Sequence, residues 1–467
     1  MMTERAHQAP LNYSNPDVGT TAIAIVKLSA TMENASEYGG PVFMNPGGPG
    51  LSGVEFVMGA AGKLLHELVG KQFDLIGFDP RGVGFSTPSV TVLQSNAELL
   101  TFFTQEPADL NSTSEALPEA WARWQVFGQA AQARDNGILN FVSTGNAARD
   151  MLGMTEALGQ EKLQYYGGSY GTALGAAFAT MFPDRVGRMV LDGCVDMDGY
   201  FGSDFYASTG LLDADKAMQT FFDGCHAAGP EACPFYASSP SEIAANLEAI
   251  YTSLRSQPVP VFTGDSFSVI TYDLLRGVVF TAITAPYSLF QILASGLAEL
   301  SSGNGTESFG RLSSFADPSE LRSAEATSAI ACSDADPFSA TATELRETMA
   351  SINSSFSGIF AMHARTRCSG WRVHPDDRFR GPVGANTSSP LLMIGNTADP
   401  RTPLVTTKKT SSMFPGSAVL VQDSPGPLSE GLTVPYNMSG LISLLESYRQ
   451  KELCAKSTNH CFLGPTE

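Results

Sequence analysis

Positive charge is scarce in this chain. Lys and Arg together number 28 against 47 Asp and Glu, so the formal net charge is −19. A surface of this sign repels nucleic acid and anionic membranes, which excludes proteins built for phosphate-rich partners. A solubilising surface explains the acidity, and a field that attracts cationic groups such as peptide amino termini is the alternative. With 43% hydrophobic and 16% charged residues over 467 positions, the sequence predicts a large globular core carrying an insertion.

Long apolar runs are also missing. No stretch approaches the roughly 20 residues of a membrane-spanning helix, so no membrane span is predicted. The opening MMTERAHQAPLNYSNPD lacks the apolar region of a secretory signal. Two features nevertheless favour a secretory, oxidising compartment, and localisation stays open between these indications. Cys225 with Cys233 and Cys454 with Cys461 are spaced for local disulfides. Asn-X-Ser/Thr sequons occur at Asn12, Asn34, Asn111, Asn304, Asn353, Asn386 and Asn437.

Metal-binding and nucleotide-binding motifs are absent from the sequence. The six histidines are scattered, and no Cys/His cluster has ligand spacing. No Gly-rich loop precedes a Lys-Ser/Thr pair. We therefore predict no metal and no cofactor. Separately, we expect a monomeric chain.

The first and last parts of the chain contain strand patterns that the middle part lacks. Short apolar runs alternate with helical periodicity up to about residue 195, which predicts a mostly parallel sheet with helices on both faces. The middle, 196–384, reads mainly as helices separated by Ser/Gly/Pro-rich loops. Strand character returns in PLLMIGN (390–396) and SAVLVQ (417–422), followed by a predicted terminal helix, MSGLISLLESYRQ.

GGSYG (167–171) matches Gly-X-Ser-X-Gly between the strand LQYYG and the helix TALGAAFATMF. A serine in that context is forced onto a sharp strand-to-helix turn with its hydroxyl exposed. We predict Ser169 as a nucleophile, the alternative being an ordinary Gly-rich turn. The backbone N–H of Tyr170 would stabilise an oxyanion. NPGGPG (45–50), directly after the strand PVFMN, is the predicted second donor loop, with Gly48 as the candidate.

Four segments resemble the tripeptidyl-aminopeptidase and prolyl-aminopeptidase branch of the α/β-hydrolases: FMNPGGPGLSG, FDLIGFDPRGVGFSTP, YYGGSYGTALGAAFATMFPDRV and LLMIGNTADPRTPL. The resemblance implies an α/β-hydrolase core at 1–195 and 385–467 with a helical cap at 196–384. It also implies a Cys332–Cys368 disulfide, with Cys194 left free. Its order of catalytic residues is Ser, Asp, His, which places the acid at Asp399 in NTADPRTP, although Asp399 before a proline also suits a plain turn.

The histidine that the resemblance implies is missing. It should follow the strand SAVLVQ, where the loop here reads DSPGPLS and the matching position is Pro427. Proline has no titratable group and cannot accept the serine proton. Loss of the histidine in a model serine protease costs on the order of 10⁶ in kcat.

Other residues are possible substitutes for this base. His374 and His460 precede and follow the returning strands, and Asp423 and Glu430 flank the loop itself, although a carboxylate is a weak base unless its pKa is raised. The other histidines are less suited: His7 is expected in a leading tail, His66 and His363 in helices, and His226 in a small disulfide loop.

Three hypotheses follow. The first is a peptidase-like serine hydrolase acting on a peptide or small-molecule acyl substrate with an impaired or displaced base. The second is an enzyme that uses the same site for acyl transfer, cyclisation or addition. The third is an inactive peptidase homologue that binds ligand. For a peptide amine, acidic residues of the insertion such as Asp213, Asp215, Glu242 and Glu248 are candidate partners, without a choice among them.

Overall fold

The computed structural model describes residues 2–32, 34–204, 207–262, 264, 267–305 and 318–427. The strands, in chain order, are β1 (Met2–Pro10), β2 (Thr20–Leu28), β3 (Gly40–Asn45), β4 (Phe73–Phe78), β5 (Leu163–Gly168), β6 (Val186–Asp192), β7 (Val259–Phe262), β8 (Phe267–Ile270), β9 (Leu391–Ala398) and β10 (Ala418–Pro425).

Eight of these strands form one sheet in the order β1-β2-β4-β3-β5-β6-β9-β10. β1 and β2 pair antiparallel, as do β2 and β4, and the remaining pairs are parallel. Every residue of β3 and β4 is buried, as expected for parallel strands covered on both faces. The carboxyl ends of β3, β5, β6 and β9 therefore meet at one edge, where ligands bind in open α/β sheets.

The helices cover both faces and fill the middle of the chain. They are α1 (Gly53–Met58), α2 (Ala60–Val69), α3 (Asn96–Phe103), α4 (Ala116–Arg134), α5 (Thr144–Ala157), α6 (Tyr170–Met181), α7 (Met197–Phe201), α8 (Ala214–Ala228), α9 (Pro240–Ser256), α10 (Tyr272–Thr284), α11 (Pro286–Ser301), α12 (Pro318–Asp334), α13 (Ala342–Ser351), α14 (Ala361–Ser369) and α15 (Leu404–Met413). The predicted helix TALGAAFATMF corresponds to α6, and the predicted terminal helix lies outside the described residues.

The interior divides into separate hydrophobic clusters. α8 to α11 pack around their own core, which Phe356, Ile359 and Ala361 join from farther along the chain. α12 instead contributes Ala329 and Ile330 to the cluster that lines the large sheet. The segment 196–384 thus packs in two ways, and its status as one cap stays a prediction. The β7–β8 hairpin inside it was not predicted from sequence.

Among the cysteines that the structure describes, Cys225–Cys233 and Cys332–Cys368 form two disulfides, and Cys194 is free and buried. These three expectations are confirmed, whereas Cys454 and Cys461 lie outside the described residues. The expectation of a leading tail around His7 is wrong: His7 lies in β1 and pairs with Ile23 of β2. An edge strand is held by backbone hydrogen bonds, so the polar sequence MTERAHQAP can form one without an alternating pattern.

Candidate active site

Ser169 occupies the sharp turn between β5 and α6. Its backbone has φ 51° and ψ −119°, a positive φ that among the described non-glycine residues is shared only with Phe360. Such a conformation costs about 1–3 kcal/mol and persists where the surrounding structure enforces it. The Ser169 N–H donates to Asp192 O at 3.0 Å, which ties the turn to the end of β6. The side chain is half-buried, so its hydroxyl remains reachable.

The glycines around Ser169 are required by close packing. A Cβ at Gly167 would lie 2.4 Å from Gly171 O, and a Cβ at Gly171 would lie 2.6 Å from Asn45 O. No side chain fits at those distances. The predicted strand–serine–helix turn is therefore confirmed as a structure, while the chemical role of Ser169 is a proposal developed below.

The NPGGPG loop, which follows β3, passes directly beside this turn. A Cβ at Gly47 would lie 2.9 Å from Ser169 Cβ and 3.2 Å from Tyr170 N. The Gly47 N–H already donates to Asn45 Oδ1 at 3.0 Å. Tyr170 is the first residue of α6, and the leading N–H groups of a helix have no acceptor within it. The loop and the Tyr170 amide are thus brought together. Gly48 stays the predicted second donor because the Gly47 N–H already donates to Asn45 Oδ1.

Asp399 follows β9 and is fully buried. Its Oδ1 accepts from the N–H groups of Arg401 and Thr402, both at 2.8 Å, and its Oδ2 accepts from the Thr402 hydroxyl at 2.6 Å. Two backbone N–H groups and one hydroxyl thus hydrogen-bond the buried carboxylate. Thr402 was missed in the sequence, although a Thr three residues after an Asp in a Pro-rich turn is a pattern that suits such a contact.

A second carboxylate, Asp192, lies at the end of β6, next to β9. It is buried, and its Oδ2 accepts from the Tyr166 hydroxyl at 2.5 Å. Burial raises the pKa of Asp399 above its ordinary value, hydrogen bonds from Thr402 oppose this, and the charge of Asp192 raises that pKa further. The site therefore contains two buried carboxylates, and the charge of Asp192 disfavours ionisation of Asp399. Asp192 was missed in the sequence, and its position at the end of a strand is the signal that points to it.

Pro427 is buried at the end of the described chain, just beyond β10. The preceding Gly426 donates its N–H to Ala398 O at 3.0 Å and accepts from Asn396 Nδ2 at 2.8 Å. These bonds hold the loop against the end of β9, at the residue before Asp399. A Cβ at Gly426 would also lie 2.9 Å from Pro286 Cδ, so the first residue of α11 covers the same loop. The position matched to the missing histidine is thus next to the segment that carries the acid.

Three of the described histidines, His66, His226 and His363, contact groups other than Ser169 and Asp399. His66 Nε2 contacts Phe73 O at 3.0 Å, and His226 Nδ1 contacts Ala237 O at 3.2 Å. His363 lies between Glu106 Oε1 and Ala108 O, at 3.0 and 3.1 Å.

Of the two suggested substitute histidines, only His374 lies in the described part of the chain, and no contact there places it at Ser169. His374 has no hydrogen-bond partner for its buried Nδ1 among the described residues, and burial and then the charge of Arg378 lower its pKa. A lowered pKa keeps the imidazole neutral, as a base requires, but no contact joins it to the turn, and its role stays a prediction. His460 lies outside the described residues.

The two carboxylates suggested as substitute bases are Asp423 and Glu430. Asp423 is exposed and accepts from the Thr397 hydroxyl at 2.7 Å, and Glu430 lies outside the described residues.

Among the acidic residues suggested for the insertion, Asp213 is the one tied to the active-site edge. Asp215 accepts from the Ser355 N–H at 3.2 Å, and Glu242 from the Ser238 N–H at 3.1 Å. Burial raises the pKa of Asp213, Lys216 opposes this, and the Leu404 N–H also donates to it. Leu404 begins α15, directly after the Asp399 loop. Lys216, from the same helix start, donates to Thr397 O at 2.6 Å.

Neither a metal site nor a membrane helix is found in the described ranges. They contain no group of three or more His, Cys, Asp or Glu side chains arranged to hold a metal ion. None of their helices combines the length and apolarity needed to cross a bilayer.

Comparisons with known proteins agree with this geometry. A family model described as alpha/beta hydrolase fold matches residues 40–231, which include the NPGGPG loop and Ser169, and one described as TAP-like protein matches residues 354–431, which include Asp399 and Pro427. Serine protease Hip1 of Mycobacterium tuberculosis is 30% identical over 421 residues, covering 84% of this chain and 75% of that protein.

Further relatives cover less of the chain or are more distant. Tripeptidyl aminopeptidase of Streptomyces lividans is 36% identical over 189 residues, covering 40% of this chain and 34% of that protein. Among solved structures, a proline iminopeptidase of Mycobacterium smegmatis aligns with 97% of this chain and 100% of its own at a TM-score of 0.39 and 13% identity.

Proposed function

The chain belongs to the α/β-hydrolase family, and we propose that it is a serine hydrolase of the peptidase type whose general base is weakened or displaced. Ser169 is the nucleophile, and Tyr170 and Gly48 supply the oxyanion donors. Asp399 is the acid of a triad that lacks its histidine. The observation that carries the proposal is the enforced turn at Ser169 with the NPGGPG loop packed against it.

The chemistry divides into a part that is kept and a part that is lost. When Ser169 Oγ attacks an acyl carbon, the carbonyl oxygen gains negative charge, which preorganised N–H groups stabilise. The serine proton needs an acceptor, and Pro427 offers none. Oxyanion stabilisation and binding alone leave roughly 10³–10⁴ of rate enhancement over water in a model protease without its triad. Slow, Ser169-dependent turnover is therefore expected.

The substrate class is proposed from the relatives and from one acidic residue. Relatives named serine protease and tripeptidyl aminopeptidase suggest peptides, the latter with a free amino terminus. Asp213 lies near the loop of Asp399 and is half-buried, so it is our candidate partner for a substrate ammonium group. The two disulfides support an oxidising compartment.

Pro427 also favours a second candidate function. A site that keeps its nucleophile and oxyanion donors but lacks a base for water is suited to acyl transfer or cyclisation, in which the substrate's own amine or hydroxyl attacks the acyl-enzyme. An inactive ligand-binding homologue is the third candidate, and the intact turn and loop around Ser169 give it less support.

Covalent labelling separates these functions. A fluorophosphonate probe should label the protein slowly, Ser169→Ala should abolish labelling, and Ser412→Ala, an exposed serine on α15, should not change it. Tripeptidyl and single-residue chromogenic substrates then report hydrolysis. Absence of both labelling and hydrolysis would favour a ligand-binding homologue, and product formed only with an added amine acceptor would favour acyl transfer. Labelling that survives Ser169→Ala would overturn the proposal.

A further inference from the structure

α12 contacts both sides of the candidate oxyanion site, although it lies about 150 residues after the nucleophile in the sequence. Its middle touches the NPGGPG loop, and its C-terminal residue Asp334 belongs to a buried polar cluster beneath Tyr170. These two contacts lie on a single helix, seven positions apart, or about 10 Å at 1.5 Å per residue.

The first contact holds the loop. Thr327 Oγ1 donates to Pro49 O at 2.5 Å and also contacts Ser323 O, one turn earlier in α12, at 2.8 Å. The helix backbone approaches so closely that a Cβ at Gly50 would lie 2.6 Å from Ser323 O and 2.8 Å from Thr327 N. The position of the loop is therefore set by α12 as well as by β3.

The second contact holds the nucleophile turn. Asp334 accepts from the Thr144 N–H at 2.7 Å and from the Thr144 hydroxyl at 2.6 Å, and Tyr200 OH donates to it at 2.9 Å. Thr144 Oγ1 also lies 2.7 Å from Tyr170 OH. A hydroxyl has one proton, so when Thr144 donates to the carboxylate, Tyr170 must donate to Thr144. All four side chains are buried, which fixes the Tyr170 side chain directly after Ser169.

α12 is itself anchored at its middle and near its C-terminal end. Glu325, fully buried, accepts from the N–H groups of Val92 and Leu93 at 3.0 and 2.6 Å. Cys332 is bonded to Cys368 of α14. The helix can therefore transmit a fixed position to the two segments that it contacts.

We propose that α12 is the positioning element of the oxyanion site, with Thr327 setting the NPGGPG loop and Asp334, through Thr144, setting Tyr170. This rests on the proposed function, because it concerns the donors used in that reaction. Thr327, Thr144 and Asp334 are positioning residues: each acts through a neighbour and touches no reacting atom.

Isosteric variants with matched controls test it. Thr327→Val removes the bond to Pro49 and the intrahelical bond, whereas Thr252→Val in α9 removes only an equivalent intrahelical bond, to Glu248 O at 2.9 Å. Thr144→Val has its control in Thr155→Val of the same helix, whose hydroxyl bonds Met151 O at 2.7 Å. Thr327→Ser and Thr144→Ser restore the hydroxyls.

Ester hydrolysis by the full chain is the first measurement. Loss of one oxyanion donor costs about 10²–10³ in kcat, so misplacing one should lower kcat at least about tenfold in both Val variants. KM should be little changed, and the Ser variants and both controls should stay near wild type. A KM effect, an equal loss in the Ser variants or an equal loss in the controls would overturn the proposal.

Amide hydrogen exchange is the second measurement and does not depend on turnover. Thr327→Val should speed exchange in residues 45–50, and Thr144→Val in residues 169–172, with neither change in the controls. If Ser169→Ala leaves ester hydrolysis unchanged, the proposed function fails, and exchange alone decides the positioning role. Unchanged exchange in both Val variants would refute that role.

Discussion

Replacing Pro427 by histidine should restore a base to the candidate site. The Gly426 bonds to Ala398 O and Asn396 Nδ2 hold the loop without any contribution from the proline nitrogen. They fix position 427 beside the segment that carries Asp399. A histidine in this place would add the missing group to the proposed nucleophile Ser169, the proposed acid Asp399 and the NPGGPG loop.

The expected gain in kcat/KM follows from the acceptor site of the Asp399 carboxylate that no hydrogen bond among the described residues uses. An ionised carboxylate offers about four acceptor sites, and Asp399 uses three of them for Arg401 and Thr402. The fourth can accept an imidazole N–H, and a hydrogen bond to a charged group contributes about 1.5–3 kcal/mol. Because about 1.4 kcal/mol is a factor of ten, Pro427→His should raise kcat/KM at least about tenfold, below a ceiling of about 10⁶. Loss of the proline restriction should cost at most about 1 kcal/mol of stability.

The pH dependence of activity shows whether a gain in Pro427→His comes from a restored base or from another effect of the substitution. Histidine must be neutral to accept the serine proton, so activity of the variant should rise with pH through the pKa of the new imidazole. That pKa is about 6.5 in an unperturbed side chain, and the nearby Asp399 carboxylate raises it. The wild type should lack this step. The assay is hydrolysis of a p-nitrophenyl ester and a tripeptidyl chromogenic substrate between about pH 5 and about pH 9.

Two companion variants decide the interpretation. Pro427→Gln is polar but does not titrate, so it should show no gain, and Ser169→Ala/Pro427→His should be inactive. A folded Pro427→His protein without a gain, or a gain shared by Pro427→Gln, would refute the reasoning. Brisk wild-type hydrolysis that is lost in His374→Ala would show instead that the base is displaced and the triad is not broken.

Local patterns predicted the parts of the molecule whose constraints are local. The turn at Ser169 was predictable because atoms close to the turn leave no room for a Cβ at Gly167 or Gly171, so both positions require glycine. The buried strands β3, β5 and β9 were predictable from short apolar runs ending in Gly or Pro. Since such strands are parallel, their carboxyl ends share an edge, which placed Ser169 and Asp399 together without a structure.

Contacts between distant segments were not predictable in this way. Thr144 and Asp334 are 190 residues apart, and a single Thr or Asp in a helix has no pattern that points to its partner. The role of α12 was hidden because the surrounding segment reads as one run of helices, while only part of it packs on the large sheet. Asp399 was singled out from the sequence, but its bonds from Thr402 depend on the path of the turn.

Three further predictions concern the loop, a disulfide and the buried acid beneath Tyr170. Gly47→Ala should abolish ester hydrolysis, because its Cβ would lie 2.7 Å from the backbone oxygen that precedes Ser169, whereas Gly137→Ala, also at positive φ but with nothing within 4 Å of its Cβ, should retain activity. Replacing both Cys332 and Cys368 by alanine opens a link across a sequence separation of 36 and should lower the free energy of unfolding in urea by about 4 kcal/mol; an unchanged midpoint would contradict this. The last concerns Asp334, whose pKa burial raises to about 6 from an ordinary 3.8. Between those values the native state holds a proton that the unfolded chain has released, so this stabilisation is present at low pH and is lost as pH rises through about 6, on the order of 3 kcal/mol in total. Asparagine does not titrate, so the unfolding free energy of Asp334→Asn relative to wild type should increase by that amount from about pH 4 to about pH 8. Parallel pH dependences of the two proteins would show that Asp334 ionises in the native state as easily as in the unfolded chain.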